Sequence, residues 1–283
     1  MNVASSTSVA LAIGVDFFYV GNVWHATALI HLVNRPFFHR HPEGDRACLL
    51  LHGLGGGVYE LQLLGEVLYK AGWTVQGILY PGHDRPTPQM PASTWPQWYE
   101  AVVTAFKTLR DSHRTVAVVG FSTGGTLALH LAYEYAVDSL VLLAPFLRIY
   151  RPWFCPVAPE RLVQSLGQWI PFVPRRSLPI RDRPLRQAAE AACFFKSFNL
   201  QAVRSALDLI AQVERKLPTI TAETLILQSL ADTVVDPQGA QRIYEQLGSA
   251  HKELHWLKES DHLLPLDVER EQVFAKVVAF LGR

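Results

Sequence analysis

The chain of 283 residues carries 26 basic and 25 acidic side chains, so its net charge of +1 gives no reason to expect nucleic acid as a partner. A chain of this length buries roughly three quarters of the surface that it exposes when unfolded, which is enough for one large domain with an insertion. Its three cysteines, Cys48, Cys155 and Cys193, are too few and too widely spaced for a disulfide framework or a zinc site. We therefore expect free thiols, a cytoplasmic location and no bound metal.

The first segment, residues 1–35, has no lysine or arginine before its last residue and looks superficially like a membrane span. Asp16, Asn22 and His25 interrupt its apolar runs, which stay well short of the roughly 20 residues that a span requires. A secretory signal is disfavoured because no basic residue precedes the apolar part. We expect a buried or peripheral accessory segment, with attachment to a membrane surface and a true span as the alternatives.

Six short apolar runs predict strands that are covered on both faces of a sheet. They lie at 47–52, 74–80, 115–120, 139–144, 224–229 and 252–257. Apolar residues at helical spacing separate several of these strands. The helical patterns lie at 58–72, 96–110, 126–136 and 237–248. Strands that alternate with helices predict an α/β architecture, a mostly parallel central sheet with helices on both faces.

The alternation breaks in residues 146–218, which are rich in proline and arginine. Seven prolines from Pro152 to Pro184 exclude long regular elements there, and a single helical stretch then runs to about Lys216. We interpret this part as an inserted cap that overhangs the end of the sheet. The predicted domains are an accessory segment at 1–35, a core at 36–145 and 219–283, and a cap at 146–218.

The third predicted strand runs directly into a serine between two glycines. Residues 120–124 match the G-x-S-x-G pattern, in which a strained strand-to-helix turn lifts the serine hydroxyl above the sheet. Open α/β sheets place their ligand sites at the carboxyl ends of the strands, where Ser122 would lie. The pattern alone is weak, because it occurs by chance in roughly one chain of this length in ten. A serine nucleophile also needs a base and a third group that orients the base.

Two loops downstream supply those partners. Asp232 follows the strand at 224–229, and His262 follows the strand at 252–257. The resulting chain order of serine, aspartate and histidine is the one expected of an α/β-hydrolase. We therefore predict a catalytic triad of Ser122, Asp232 and His262.

Each of these partners has a rival nearby. Asp236 precedes Pro237 and opens a predicted helix, so a role as the N-cap explains it. Asp232 has no such local role and is the better partner for the histidine. His251 and His255 lie before or within the last predicted strand, whereas His262 lies in the loop beyond it.

The first predicted strand ends in a glycine-rich loop that would supply donors for an oxyanion. Residues 52–56 read His-Gly-Leu-Gly-Gly, and their small side chains allow backbone N–H groups to face a ligand. The candidates are the backbone N–H groups of Leu54 and of Thr123, which follows the serine at the start of a helix. A tight turn without a ligand is the alternative for the glycines. A phosphate-binding loop is disfavoured, since both phosphate-loop patterns are absent.

From about Pro36 onward, the chain resembles the bacterial carboxylesterase and monoacylglycerol lipase family of α/β-hydrolases. The matching segments include "LLLHGLGGGVYELQLLGEVLYKAGWTV", "YPGHDRP", "WPQWYEAV", "VVGFSTGG", "LVLLAP", "ADTVVDPQGA" and "SDHLLPLDVERE". The resemblance implies an α/β-hydrolase fold with a cap. It also implies that the triad predicted above is catalytic and that Leu54 and Thr123 form the oxyanion hole.

The chain departs from this family at one point near the site. Asp84 stands where the family usually has glycine after Pro-Gly-His, which implies an altered loop beside the site. The first 35 residues have no counterpart in the family that we recognise.

The predicted function is that of a serine esterase or lipase acting on a small-molecule monoacyl ester, without a metal or organic cofactor. An acyltransferase would use the same triad with an acceptor other than water. A non-catalytic protein that binds lipid or a membrane on a hydrolase scaffold is the alternative from another class.

The composition of the cap bears on its partners. From Arg148 to Arg204 there are ten basic and three acidic residues, a local charge of +7. Aromatic residues interleave with them: Trp153, Phe154, Trp169, Phe172, Phe194 and Phe195. Either these rings line an acyl pocket while the arginines stay solvated, or the surface docks on anionic lipid. Peripheral membrane contact through the cap or the N-terminal segment is thus one prediction, and nucleic-acid binding is disfavoured because no binding motif accompanies the charge.

Overall fold

The computed structural model describes residues 15–20, 23–28, 30–42, 44–166 and 169–283. Two strands near the amino end, β1 (Val15–Val20) and β2 (Val23–Ala28), pair antiparallel as a sheet of their own. The sequence patterns had predicted no strand there. The rest of the predicted accessory segment up to residue 29, Asn22 included, lies outside the described residues.

The central sheet contains all six strands that the apolar runs predicted. Its strands are β3 (Phe37–His39), β4 (Arg46–Leu51), β5 (Thr74–Gly77), β6 (Thr115–Phe121), β7 (Ser139–Leu143), β10 (Glu223–Ser229) and β11 (Lys252–Leu257). Their order across the sheet is β11-β10-β7-β6-β4-β5-β3, and all neighbours are parallel except β3, which pairs antiparallel with β5. The edge strand β3 was not predicted, because three residues are too few for a pattern.

The helices of the described ranges fill the connections between the strands. They are α1 (Gln62–Lys70), α2 (Trp95–Ser112), α3 (Thr123–Glu134), α4 (Pro159–Leu166), α5 (Arg183–Ala192), α6 (Leu200–Glu214), α7 (Gln238–Gln246) and α8 (Arg270–Leu281). Local sequence sets their ends: Thr94 and Gln97 form a capping box at the start of α2. Gly72 adopts a φ of 90° just beyond α1, a conformation that favours glycine.

Strand order decides which face of the sheet each helix covers. α1 leads from β4 to β5 in one direction, whereas α2 and α3 lead in the opposite direction. Because such crossovers are right-handed, α1 lies on one face and α2 and α3 on the other. α8 packs beside α1, and α2 packs beside α3. The inner strands β4, β6, β7 and β10 are therefore buried on both faces, as their continuous apolar runs predicted.

The proposed cap lies between β7 and β10 and carries α4, α5, α6 and two short strands. These strands, β8 (Phe172–Pro174) and β9 (Ser197–Asn199), pair antiparallel. The prediction of one helical stretch ending near Lys216 was wrong, because β9 separates α5 from α6. The Asn199 side chain accepts a hydrogen bond from the N–H of Gln201 at 2.9 Å and so starts α6 as a new helix.

In the part of the chain that the structure describes, no helix combines the length and the apolar character needed to cross a bilayer.

Candidate active site

The candidate nucleophile lies on the sharp turn between β6 and α3. Ser122 has a φ of 53° and a ψ of −119°, a strained conformation for a residue with a side chain. The flanking glycines permit the turn, because a Cβ on Gly124 would lie 2.1 Å from the carbonyl oxygen of Leu51, and a Cβ on Gly120 would lie 2.4 Å from the carbonyl oxygen of Gly124. The G-x-S-x-G pattern is thus a packing requirement of this turn against β4.

The predicted base meets the serine hydroxyl across the carboxyl end of the sheet. The Nε2 atom of His262, in the loop after β11, lies 3.0 Å from the Oγ atom of Ser122. Both side chains are buried, and the ring of Phe121 packs against the imidazole with ring centroids 5.0 Å apart. This distance is within the range for proton transfer from a serine to a histidine.

The predicted acid completes the chain of hydrogen bonds. The Oδ2 atom of Asp232 lies 2.8 Å from the Nδ1 atom of His262. The Oδ1 atom accepts the N–H groups of Val234 at 2.8 Å and Val235 at 2.9 Å. Burial alone would raise the pKa of Asp232, but His262 and these two N–H groups bring it below its ordinary value. The carboxylate is therefore ionised at neutral pH and holds the proton of the imidazole on Nδ1.

The rival residues lie elsewhere. The Asp236 side chain accepts the N–H of Gln238 at 3.0 Å at the start of α7, which is the local role that the sequence suggested for it. His255 contacts Glu253 and Lys276 on β11 and α8, away from the serine. The structure thus brings together Ser122, Asp232 and His262 and leaves these two rivals outside.

The two predicted oxyanion donors border the same pocket as the serine. Leu54 follows β4 in the glycine-rich loop, and Thr123 is the first residue of α3. Neither backbone N–H has an acceptor among the described residues. Both residues line one pocket together with Ser122 and His262. Two unpaired donors beside a nucleophile are the arrangement that stabilises an oxyanion in acyl transfer.

Comparison with known protein families provides an independent observation. The family model described as serine aminopeptidase, S33 (Hydrolase_4) matches residues 42–269, which is most of the chain. The chain belongs to this family. The match includes the segments that carry the serine, the aspartate and the histidine of the candidate triad.

Relatives of this Hydrolase_4 chain include a carboxylesterase and a monoacylglycerol lipase. It is 26% identical over 241 residues to a carboxylesterase of Bacillus subtilis (strain 168), covering 85% of this chain and 94% of the relative. It is also 26% identical over 251 residues to a thermostable monoacylglycerol lipase of Bacillus sp. (strain H-257), covering 85% of this chain and 92% of the relative. A solved structure of a metagenome-derived lipolytic enzyme superposes with a TM-score of 0.75 at 22% identity, over 89% of this chain and 99% of the other. That structure confirms the α/β-hydrolase fold.

The pocket beside Ser122 and His262 lies between the core and the proposed cap. It has a volume of about 640 Å³ and mostly apolar walls. The apolar lining residues include Leu54, Phe121, Phe146, Ile149, Val163 and Phe198. Walls of this kind favour an alkyl chain, since each methylene group that is transferred from water into an apolar pocket stabilises the complex by about 0.8 kcal/mol.

Asp84 is the residue that departs from the family pattern. Its neighbour His83 contacts the glycine-rich loop. Asp84 is exposed, whereas His83 is fully buried. Burial lowers the pKa of His83 well below its ordinary value, so the neutral ring accepts the N–H of Gly55 through Nε2 at 3.0 Å. The two loops are therefore joined by His83, whereas the Asp84 side chain is exposed to solvent.

Two polar residues beside the triad, Gln228 and Asp261, support it through contacts that the sequence alone did not predict. The Nε2 atom of Gln228, on β10, donates to Oδ2 of Asp232 at 3.0 Å. Asp261 accepts the N–H groups of Thr233 at 2.9 Å and of His262 at 2.8 Å, so it joins the aspartate loop to the histidine loop.

Asp267 connects the histidine loop to the cap. Its Oδ2 atom accepts the N–H of Asp261 at 2.6 Å, and its Oδ1 atom accepts the N–H groups of Arg181 at 2.8 Å and Asp182 at 3.0 Å. The residue is fully buried. Its place after "HLLPL" gave no sequence signal for this role, because its partners are backbone groups 86 and 85 residues away.

Proposed function

We propose that this protein hydrolyses monoacyl carboxylic esters through an acyl-enzyme on Ser122. The chain is a carboxylic ester hydrolase of the α/β-hydrolase fold, as its family and its curated relatives indicate. The single observation that carries the finer proposal is the continuous hydrogen-bonded line from Ser122 through His262 to Asp232 beside an apolar pocket.

The geometry supports a reaction in two stages. In the first, Oγ of Ser122 attacks the ester carbonyl, its proton passes to Nε2 of His262, and the N–H groups of Leu54 and Thr123 bind the oxyanion. The tetrahedral intermediate then expels the alcohol, which takes the proton from His262. In the second stage, His262 removes a proton from water, the water oxygen attacks the acyl-enzyme, and the carboxylic acid leaves as Ser122 regains its proton.

Pocket chemistry supports a monoacyl substrate. The apolar walls suit one alkyl chain, while the few polar side chains near the triad include Arg175, Arg176 and Ser177 of the cap. We place the acyl chain against the apolar walls and the alcohol towards these cap residues. The relatives named as carboxylesterase and monoacylglycerol lipase act within the same substrate class.

Turnover of p-nitrophenyl esters from acetate to palmitate tests this proposal. We expect activity on these esters, with an optimum acyl-chain length set by the depth of the pocket. We also expect one fluorophosphonate to bind per chain, at Ser122. An aminoacyl p-nitroanilide serves as the control substrate for the peptidase named in the family description. Preferred cleavage of the anilide, or no fluorophosphonate labelling, would contradict ester hydrolysis. Diversion of product to a new ester by low concentrations of added alcohol would instead support the acyltransferase.

The proposal includes peripheral contact of the cap with an anionic membrane, with the protein on the cytoplasmic side. Three aromatic side chains of the cap are largely exposed, Trp153 by 93%, Trp169 by 77% and Phe154 by 70%. They flank α4, whose Pro159 and Val163 line the substrate pocket. Exposed aromatic rings near a pocket entrance suit insertion at the level of lipid headgroups.

The charge around these rings complements anionic lipid. Residues 148–176 contain five arginines and one acidic residue, Glu160. The Glu160 carboxylate accepts the N–H of Ile149 at 2.7 Å, and the five arginines outweigh its single charge, leaving a net charge of +4. Basic residues near such a surface each contribute about 1 kcal/mol of attraction.

Sedimentation with vesicles tests this contact. We expect binding to phosphatidylglycerol vesicles and little binding to phosphatidylcholine vesicles. Replacing Trp153 and Trp169 together with alanine should weaken binding at least about tenfold, because burial of each ring is lost. Phe38→Ala, which removes an aromatic ring that is 52% exposed on β3, is the matched control and should bind normally. Equal binding by the double variant and the parent, or no preference for the anionic lipid, would contradict the membrane contact.

A further inference from the structure

A buried carboxyl group lies directly behind the glycine-rich loop of the candidate active site. Glu60 follows this loop in a turn of 3₁₀ helix (Val58–Glu60), and its side chain is almost fully buried. It borders the substrate pocket but contacts neither Ser122 nor His262 by a hydrogen bond. Buried carboxyl groups are costly unless they are paired, so its partners indicate its role.

The partners of Glu60 are backbone N–H groups of the same loop. Its Oε2 atom accepts the N–H of Gly53 at 2.8 Å, and the N–H of Gly57 also favours the ionised carboxylate. The carboxylate occupies the space beside Gly56, where a Cβ would lie 2.0 Å from Oε1. The run of glycines thus accommodates the carboxylate, and the carboxylate in turn holds the loop from both ends.

A second contact fixes the peptide that carries the proposed oxyanion donor. The carbonyl of Gly53 and the N–H of Leu54 belong to one peptide group and point in opposite directions. The Nδ1 atom of His52 lies 2.8 Å from that carbonyl oxygen. Burial lowers the pKa of His52 to about 4, so the ring is neutral and Nδ1 carries the donated proton. Glu60 thus fixes the preceding His52–Gly53 peptide through the N–H of Gly53, and His52 fixes the Gly53–Leu54 peptide through its carbonyl. Together the two contacts determine where the Leu54 N–H points.

We propose that Glu60 is a positioning residue that holds the His52–Gly53 peptide, and through it the adjoining Gly53–Leu54 peptide, so that the Leu54 N–H faces the oxyanion. This inference rests on the proposed function, because it assigns Leu54 the role of oxyanion donor. Glu60 itself transfers no proton and touches no reacting atom. Its contribution is to keep a donor oriented before the charge develops, and a complete loss of one such donor costs about a hundredfold in rate.

Kinetics of two variants test this role. Glu60→Gln keeps the shape but places an amide nitrogen against one of the two N–H groups, so kcat should fall about tenfold while KM changes little. In Glu60→Ala, kcat should fall about a hundredfold. Glu66→Gln, the same change at an exposed position on α1, should leave both constants unchanged. Titration with a fluorophosphonate counts the folded active sites, so kcat is expressed per competent site.

Inhibition by a trifluoromethyl ketone separates positioning from general destabilisation. Its adduct with Ser122 carries an oxyanion, so its affinity should fall by the same factor as kcat in each Glu60 variant. Unchanged kcat per titrated site, or unchanged affinity for the ketone, would overturn the inference. If the parent enzyme hydrolysed no ester at all, the proposed function itself would be contradicted. If the parent were active and the Glu60 variants were unaffected, only the inference about Glu60 would be contradicted.

Thermal unfolding provides a readout that needs no activity. Burial raises the pKa of Glu60 to about 7, although Gly53, Arg175, His262 and Gly57 favour its ionised form. Tyr59 and Tyr80 face the same carboxyl group and stay neutral, since burial raises the pKa of each well above its ordinary value. In the unfolded chain the Glu60 carboxyl ionises near pH 4.5, whereas in the folded chain it ionises near pH 7. Because the folded state disfavours the ionised carboxylate, the parent loses stability as pH rises from about 4.5 through about 7. The Tm of Glu60→Gln relative to the parent should therefore rise by about 5 °C between pH 5 and pH 8, and a constant difference would contradict the buried anchor.

Discussion

Replacing Ser122 with alanine is expected to lower kcat by a factor on the order of 10⁶, the loss typical of removing a nucleophile from an intact triad. The substitution removes only Oγ, which lies 3.0 Å from Nε2 of His262. The pocket walls and both oxyanion donors stay in place, so ester binding should persist. The backbone is also expected to hold, because the N–H of Ser122 donates to the carbonyl of Leu143 at 2.9 Å and its carbonyl accepts the N–H of Phe146 at 3.1 Å.

The measurement is hydrolysis of the best p-nitrophenyl ester under single-turnover conditions, together with fluorophosphonate labelling. Ser112→Ala removes an exposed hydroxyl at the end of α2, outside the pocket, and should retain activity and labelling. Retained turnover in Ser122→Ala would show that another group performs the attack. Loss of turnover in both variants would indicate a folding defect, which the Tm of each variant would reveal.

The parts of this fold that the sequence predicted are those with dense local signals. β4, β6, β7 and β10 are continuous apolar runs because both of their faces are buried, and such runs are visible without a structure. The Ser122 turn was equally visible, since its glycines are required by close backbone contacts within a few residues and with β4. The short edge strand β3 and the break between α5 and α6 had no such signal, because they depend on pairing with distant segments.

The triad was predictable for a different reason. Parallel strands end at one edge of a sheet, so residues just after β6, β10 and β11 meet there even though Ser122 and His262 are 140 residues apart. The residues that support the triad could not be predicted this way. Gln228 lies within β10 and reads as an ordinary strand residue, and Glu60 reads as an acidic residue near a helix start. Their roles follow from hydrogen bonds that only the folded backbone creates.

Changing Asp232 to asparagine is expected to lower kcat by about 10⁴-fold, because the introduced amide favours the wrong tautomer of the histidine. Oδ1 accepts two backbone N–H groups, so the amide oxygen will keep that position and the amide nitrogen will face Nδ1 of His262. His262 must then accept at Nδ1 and carry its proton on Nε2. In that state it cannot remove the proton of Ser122.

The rest of the site should tolerate this change, which makes the test specific. Gln228 now donates to Oδ2 through Nε2, and its Oε1 atom has no hydrogen-bond partner among the described residues. Rotation of its amide would present Oε1 to the introduced nitrogen, so no two donors need face each other, at the cost of the hydrogen bond that Nε2 donates to the carbonyl of Ser229 at 3.1 Å. The loop after β10 should keep its two backbone hydrogen bonds, and the Tm should change little.

The matched control is the same substitution at the neighbouring aspartate. Asp236→Asn alters only the cap of α7, where the side chain accepts the N–H of Gln238, and asparagine is also a good cap. Its kcat should equal that of the parent, whereas Asp232→Asn should regain part of its activity as pH rises, because hydroxide then competes with the disabled histidine as the base. If the two variants lost activity equally, the site would depend on the whole loop and not on the hydrogen bond between Asp232 and His262. If only Asp236→Asn lost activity, the acid of the triad would be the residue that both its N-cap role and the geometry argue against.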